Sequence, residues 1–167
     1  MKLLLLLFCV SIHSQTVLYF DGNNAMNYLN QQCNLGPRYP GSSGHTKAIQ
    51  VYKQHFEKYS DDVTLFDDYV IHPHSLDSIQ LTNIFSRLNP EINNRILLMA
   101  HFDTREIADK DLNQDNQKKP ILGANDGASG IAVLMEMVRF LNQNPLSNLG
   151  VDFLLTDGED MGKPGDA

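Results

Sequence analysis

The sequence predicts an α/β fold, a mostly parallel mixed sheet flanked by helices. Two short apolar segments, residues 96–100 and 151–156, are typical of strands, and an amphipathic helical pattern at 131–141 lies between them. A strand, a helix and a second strand in this order predict a parallel crossover unit. Residues 96–100 are an unbroken apolar run, which indicates a strand buried on both faces.

The chain before this unit supplies the remaining elements. Apolar residues at helical spacing predict helices at 21–34 and 45–59, separated by a loop rich in Gly, Pro and Ser at 38–44. Three segments rich in β-branched and aromatic residues predict strands separated by turns, at 63–66, 69–71 and 81–88. Residues 106–119 are polar and irregular, so we expect a long loop there.

Composition limits the possible functions. The chain has 167 residues and 42% apolar content, which is enough for one hydrophobic core. Its formal charge is −7, with acidic and basic residues mixed and no basic stripe, so the sequence argues against nucleic-acid binding. Without the leader described next, Cys33 is the one cysteine left, which excludes an internal disulfide and favours a partly buried structural thiol.

The N-terminus has the layout of a secretory signal peptide. Lys2 precedes an apolar run, and the small residue Ser14 follows it, so we expect a signal peptide at 1–14 with cleavage near Ser14. The apolar run is too short for stable membrane insertion. Cys9 lacks the preceding small residue of a lipoprotein cleavage site, so a lipid anchor is the less favoured alternative. We therefore expect a secreted or periplasmic protein.

Three groups of metal-ligand side chains follow predicted strands or begin a helix. His101 ends the strand predicted at 96–100, Asp126 begins the helix that follows it, and Glu159 and Asp160 follow the strand predicted at 151–156. Such ends meet at one edge of an open α/β sheet, where binding sites form. Alone, each has an ordinary explanation: a structural histidine, a helix cap or a solvated turn. Together they predict a zinc site with His101, Asp126 and Asp160 as ligands, since catalytic zinc takes about three protein ligands.

Neighbouring residues fit supporting roles at this site. We expect amides at the helix start to hold Asp126, and Asp103 to accept the second imidazole N–H of His101. Glu159 stands beside a ligand with its own carboxylate available to move a proton. Small residues at the helix start, Gly127 to Gly130, are expected to leave room for metal and substrate.

Three motifs resemble the signature of the zinc exopeptidase superfamily, which contains aminopeptidases and glutaminyl-peptide cyclotransferases (glutaminyl cyclases). They are AHFDTR at 100–105, GANDGASG at 123–130 and TDGED at 156–160, and the resemblance extends from about Asn27 to Gly165. It implies that Asp126 and Asp160 bind zinc and that Glu159 is the general acid and base. His101 matches a ligand of two-metal aminopeptidases, whereas a similar His in single-zinc cyclases need not bind metal.

The resemblance also implies an activity on the N-termini of peptides or proteins. The motif around His101 and the Asn- and Gln-rich loop after it look most similar to bacterial cyclase-like members, which favours a glutaminyl cyclase. An aminopeptidase is the alternative, and a binding domain without activity is a second one, although the retained Glu159 argues against it.

One departure from the family concerns the C-terminal side. Family members continue well past the Glu-Asp pair and supply a further zinc-binding His there. We therefore expect residues 15–167 to be the N-terminal part of one catalytic domain, incomplete at its C-terminus, and expect the isolated chain to bind zinc poorly and to be inactive. The earlier histidines match no family ligand and are interpreted as surface or loop residues: His45, His55, His72 and His74.

Overall fold

The computed structural model describes residues 19–73 and 75–162. Its elements are helix α1 (Gly22–Asn34), helix α2 (Ser43–Tyr59), strand β1 (Asp62–Ile71), strand β2 (Ser78–Leu88), strand β3 (Arg95–His101), helix α3 (Ser129–Gln143) and strand β4 (Gly150–Thr156). The predicted signal peptide, residues 1–14, lies outside the described residues. None of the helices in the described ranges is both long enough and apolar enough to cross a membrane.

The strands form one mixed sheet in the order β1-β2-β4-β3, which confirms the α/β class. β3 and β4 are parallel, as the crossover pattern predicts, with His101 opposite Thr156. The other two pairings, β1 with β2 and β2 with β4, are antiparallel, so the described part of the sheet is less parallel than expected. The reason is the connections: a short turn joins β1 to β2 as a hairpin, and parallel pairing needs a longer crossover, which the chain between β3 and β4 provides.

The helix predictions are confirmed, while the strands differ in two respects. Residues 63–66 and 69–71 belong to one continuous strand, β1, because Asp67 does not break it; its carboxylate accepts a hydrogen bond from the Thr82 hydroxyl at 2.6 Å. β3 is not buried on both faces: Leu97 is 52% and Met99 is 59% exposed. Side chains alternate along a strand, and in the described structure the helices cover only the face of Leu98 and Ala100.

Aromatic side chains at the centre of the core connect α2 to the sheet. The Phe56 ring lies 5.6 Å from that of Phe153 on β4, and the Tyr52 ring meets that of Phe102 edge-on at 5.4 Å. All four side chains are fully buried. Phe102 directly follows the last residue of β3, so this packing also fixes the end of the strand that carries His101.

Candidate metal centre

The three predicted zinc ligands come together at the carboxyl ends of β3 and β4. His101 is the last residue of β3, Asp126 lies in a kinked turn (Ala124–Ala128) before α3, and Asp160 lies in a short helical turn (Glu159–Met161) after β4. Their nearest ligand atoms all lie within 4.8 Å of one another. Nε2 of His101 is 3.0 Å from Oδ1 of Asp126. Residues far apart in the chain thus form a compact group with one nitrogen and two carboxylate donors.

The turn that carries Asp126 differs from the expected helix start. Asp126 has extended backbone angles (φ −91°, ψ 116°), and α3 begins three residues later at Ser129, without a side-chain cap. The expectation that helix-start amides hold Asp126 is therefore wrong. Its carboxylate, 69% exposed, hydrogen-bonds to His101 instead, because the extended backbone moves it away from the helix axis.

Glycine is required in this turn for close packing. Gly127 has φ +88°, and a Cβ there would lie 2.8 Å from the backbone oxygen of Asp103. At Gly130 a Cβ would lie 2.9 Å from Cβ of Ala100 on β3. The small residues thus bring the start of α3 against the end of β3, rather than serving only to leave space for a ligand.

Asp103 holds the opposite side of the group. Its side chain is fully buried, and its two oxygens accept hydrogen bonds from the backbone N–H groups of Glu159 (3.2 Å) and Asp160 (2.8 Å). Oδ1 also faces Nδ1 of His101 at 3.5 Å, which is the predicted partner but longer than a well-formed hydrogen bond. Asp103 therefore orients all three of these residues.

Glu159 lies next to the ligand group and outside it. Its carboxylate is 63% exposed, and Oε2 is 3.9 Å from Nδ1 of His101. The backbone N–H is fixed by Asp103, whereas the side chain extends toward solvent. This placement suits a group that exchanges protons with a bound molecule.

The cluster carries an excess of negative charge. The Asp103 carboxylate, 3.5 Å from Nδ1, raises the pKa of His101 to about 9. Burial, followed by repulsion from Asp126 and Asp103, raises the pKa of Asp160 to about 6. Apart from the burial of Asp160, both shifts come from carboxylates that lie close together around one imidazole, and a bound cation would relieve the repulsion between them.

Comparison with known proteins agrees with this geometry. Residues 83–165 match the model of peptidase family M28. The fold matches a Bacteroides thetaiotaomicron glutaminyl cyclase bound to N-acetylhistamine, with 36% identity and a TM-score of 0.84 over 91% of this chain and 51% of that one. The chain is thus similar to glutaminyl cyclases and zinc-dependent exopeptidases over most of its length, and to peptidase family M28 over residues 83–165.

Two further solved structures that resemble this chain are peptidases by name. A leucine aminopeptidase precursor from Bacteroides thetaiotaomicron is 35% identical (TM-score 0.80; 91% of this chain, 52% of that one). A Zn-dependent exopeptidase from Parabacteroides distasonis is 27% identical (TM-score 0.80; 91% of this chain, 51% of that one). The chain spans about half the length of each of these proteins.

The donor set at this site fits zinc. Zinc accepts imidazole nitrogen and carboxylate oxygen, and catalytic sites combine three such ligands with an open position. His101, Asp126 and Asp160 supply one nitrogen and two oxygens, and the exposure of Asp126 leaves one side of the group accessible. The assignment of these three residues as ligands stays a prediction.

Of the four histidines interpreted as surface or loop residues, two are placed differently. His45 and His55 lie on α2; His45 is 4% exposed, and Nε2 of His55 is 2.8 Å from the carbonyl oxygen of Met135 on α3. For these two the surface or loop interpretation is wrong, because α2 turns these side chains inward. His72 lies in a loop, although it is 8% exposed, and His74 lies outside the described residues.

Sequence reasoning gave no role to Arg38, which links the loops around the site. Its side chain is fully buried, and its guanidinium donates hydrogen bonds to backbone carbonyls of five residues. These are Gln32, Gly36, Phe102, Leu122 and Gly123. Arg38 begins the loop predicted at 38–44, but burial of a cation depends on carbonyls supplied by distant segments, which no local pattern shows.

Proposed function

We propose that the protein containing this chain is a zinc-dependent glutaminyl-peptide cyclotransferase, which converts an N-terminal glutamine into pyroglutamate and releases ammonia. The observation that carries the proposal is the His101, Asp126 and Asp160 group with Glu159 beside it, in a fold similar to a bacterial glutaminyl cyclase. Its substrates would be the N-termini of peptides or proteins.

Each residue of the group has a part in this reaction. His101, Asp126 and Asp160 would hold zinc, which when bound supplies a Lewis acid that polarises the γ-carboxamide of the substrate. The substrate's own α-amine attacks that carboxamide carbon, so a C–N bond forms within the ring and the bond to the amide nitrogen breaks. Glu159 accepts a proton from the α-amine and delivers it to the departing nitrogen, which leaves as ammonia.

An aminopeptidase is the second candidate, supported by the likeness to the leucine aminopeptidase precursor. The same residues would serve it: Glu159 would accept a proton from the water that attacks the first peptide carbonyl. The two reactions differ in nucleophile and in product, so they are separable by chemistry.

The deciding experiment uses the full-length protein and a peptide that begins with glutamine. We expect ammonia release and a peptide that keeps all its residues and loses the mass of ammonia, measured by a coupled ammonia assay and mass spectrometry. A peptide beginning with leucine serves as the control. Release of free leucine or glutamine without ammonia would establish the aminopeptidase instead.

A further inference from the structure

A buried histidine and a buried carboxylate meet behind the candidate metal centre. Nε2 of His45, on α2, is 2.8 Å from Oδ2 of Asp157, the first residue after β4. The two side chains are 6% and 0% exposed. Because a carboxylate oxygen only accepts, the imidazole donates this hydrogen bond from Nε2. The imidazole also stacks on the Phe102 ring, with 5.5 Å between ring centroids. His45 thus contacts the residue that follows β3, Phe102, and the residue that follows β4, Asp157.

Few other groups hold Asp157. Its Oδ2 also accepts the backbone N–H of Thr82 at 2.8 Å, and its own N–H donates to the side chain of Asn83 at 2.9 Å. Its Oδ1 is buried and has no hydrogen-bond partner within the described residues. The His45 imidazole is therefore the one side chain among the described residues that donates to this carboxylate, and losing it would leave a buried acceptor further unsatisfied.

The chain reaches the site directly from Asp157. Gly158 follows in a left-handed conformation (φ +82°), tight against Leu81, and Glu159 and Asp160 come next with their N–H groups bound to Asp103. The turn is thus fixed at two points. Residues of α2 and β2 hold Asp157, and Asp103 holds the backbone N–H groups of Glu159 and Asp160. A shift at the first point would be passed on to Glu159 and Asp160, because two residues or fewer separate them from Asp157.

We propose that His45 is a positioning residue. Through Asp157 it sets the orientation of Glu159 and Asp160, so α2 helps to hold the turn after β4 that carries them. The expected effect on kcat rests on the function proposed above. The expected effect on zinc affinity does not depend on which reaction the site performs. His45 touches neither the ligand group nor the reacting atoms; it acts by fixing the backbone from which they extend.

The test compares His45→Leu with His45→Gln in the full-length protein. Leucine fills similar space without a donor, whereas the Gln side-chain amide places a donor near the position of Nε2. We expect His45→Leu to lower kcat on a glutamine-initiated peptide and to weaken zinc affinity, each by about tenfold, as loss of outer hydrogen bonds does at metal sites. KM should change less than kcat, and His45→Gln should recover most of both losses.

His55→Leu is the matched control. His55 lies on the same helix and makes a hydrogen bond of the same 2.8 Å length from Nε2, but to Met135 on α3 and away from the ligand group. We expect it to lower the unfolding temperature as His45→Leu does, with kcat and zinc affinity within about twofold of the original protein. Equal losses of kcat and zinc affinity in both variants would overturn the proposal, as would a His45→Leu protein with neither value changed.

The readouts also separate this inference from the proposed function. If the original protein releases no ammonia but binds zinc, and His45→Leu weakens that binding while His55→Leu does not, the positioning role holds and the cyclase assignment fails. If ammonia is released at the same rate by both variants, the cyclase assignment holds and the positioning role fails. An original protein that neither binds zinc nor acts on the peptide contradicts both.

Discussion

Asp103 has the most connections of any carboxylate at the candidate metal centre. Its fully buried carboxylate accepts hydrogen bonds from the backbone N–H groups of Glu159 and Asp160 and faces Nδ1 of His101. An asparagine at this position keeps the shape but directs an NH₂ group at one of its donors, which leaves a buried clash of hydrogens.

We therefore expect Asp103→Asn to weaken zinc affinity about 10- to 100-fold in the full-length protein, measured by competition with a chelating dye. Asp152→Asn is the control, because Asp152 is a carboxylate, 16% exposed, that pairs with Arg87 and Arg95 away from the site. Unchanged zinc affinity in Asp103→Asn would contradict the orienting role.

The raised pKa of His101 predicts the pH dependence of metal binding. With a pKa of about 9, the imidazole is protonated at neutral pH in the metal-free protein, and the proton must leave before the nitrogen binds zinc. Zinc affinity should therefore rise with pH by about tenfold per unit between roughly pH 6 and 9, and level off above. Chelator competition across this range measures it; a flat profile would contradict the combination of a raised His101 pKa and zinc binding by His101.

Glu159 makes a separable contribution, because its carboxylate stands outside the ligand group. We expect Glu159→Gln to lower kcat by about 10²- to 10⁴-fold, since it removes the proton carrier, while zinc affinity stays within about twofold. Glu91→Gln, in an exposed turn, provides the control. Undiminished turnover in Glu159→Gln would remove the proton-transfer role.

At the scale of elements, the kinked turn before α3 brings Asp126 to His101. Gly127 lies at φ +88° with the backbone oxygen of Asp103 in the space a side chain would need. Gly127→Ala should therefore destabilise the fold by about 1 to 3 kcal/mol, seen as a lower midpoint of chemical unfolding. Gly22→Ala in α1 has open space around it and should cost nothing or stabilise slightly. Equal effects would mean that the turn tolerates a side chain.

The elements also show which features sequence patterns capture. The three helices follow from long amphipathic stripes, and the ligand residues from their positions directly after strands. The pairing of β2 with β4, the exposure of Leu97 and the inward orientation of His45 do not follow, because they depend on contacts between segments distant in the chain. The sequence predicts correctly that Asp126 lies before α3, but not that its carboxylate pairs with His101. No local pattern indicates that the backbone of Asp126 is extended.

At the scale of the whole molecule, the described helices stabilise one face of the sheet. Phe153 is fully buried on that face, whereas Leu97 is half exposed on the other. In the 167-residue chain, Phe153→Ala should cost about 3 to 5 kcal/mol and Leu97→Lys less than about 1 kcal/mol, by urea unfolding followed by circular dichroism. A larger cost for Leu97→Lys would show that something covers the second face in solution, such as another copy of the chain.

The long loop beside the site is closed at its base. The N–H of Ala108 donates to the carbonyl of Lys119 at 2.8 Å, and that of Ile121 donates to the carbonyl of Arg105 at 3.1 Å. Arg38 then holds the carbonyls of Leu122 and Gly123 just beyond. Segments of different length or composition are therefore exchangeable between residues 108 and 119 without displacing His101 or Asp126. This makes the loop a position for grafting a fluorescent reporter or a recognition sequence at the rim of the site.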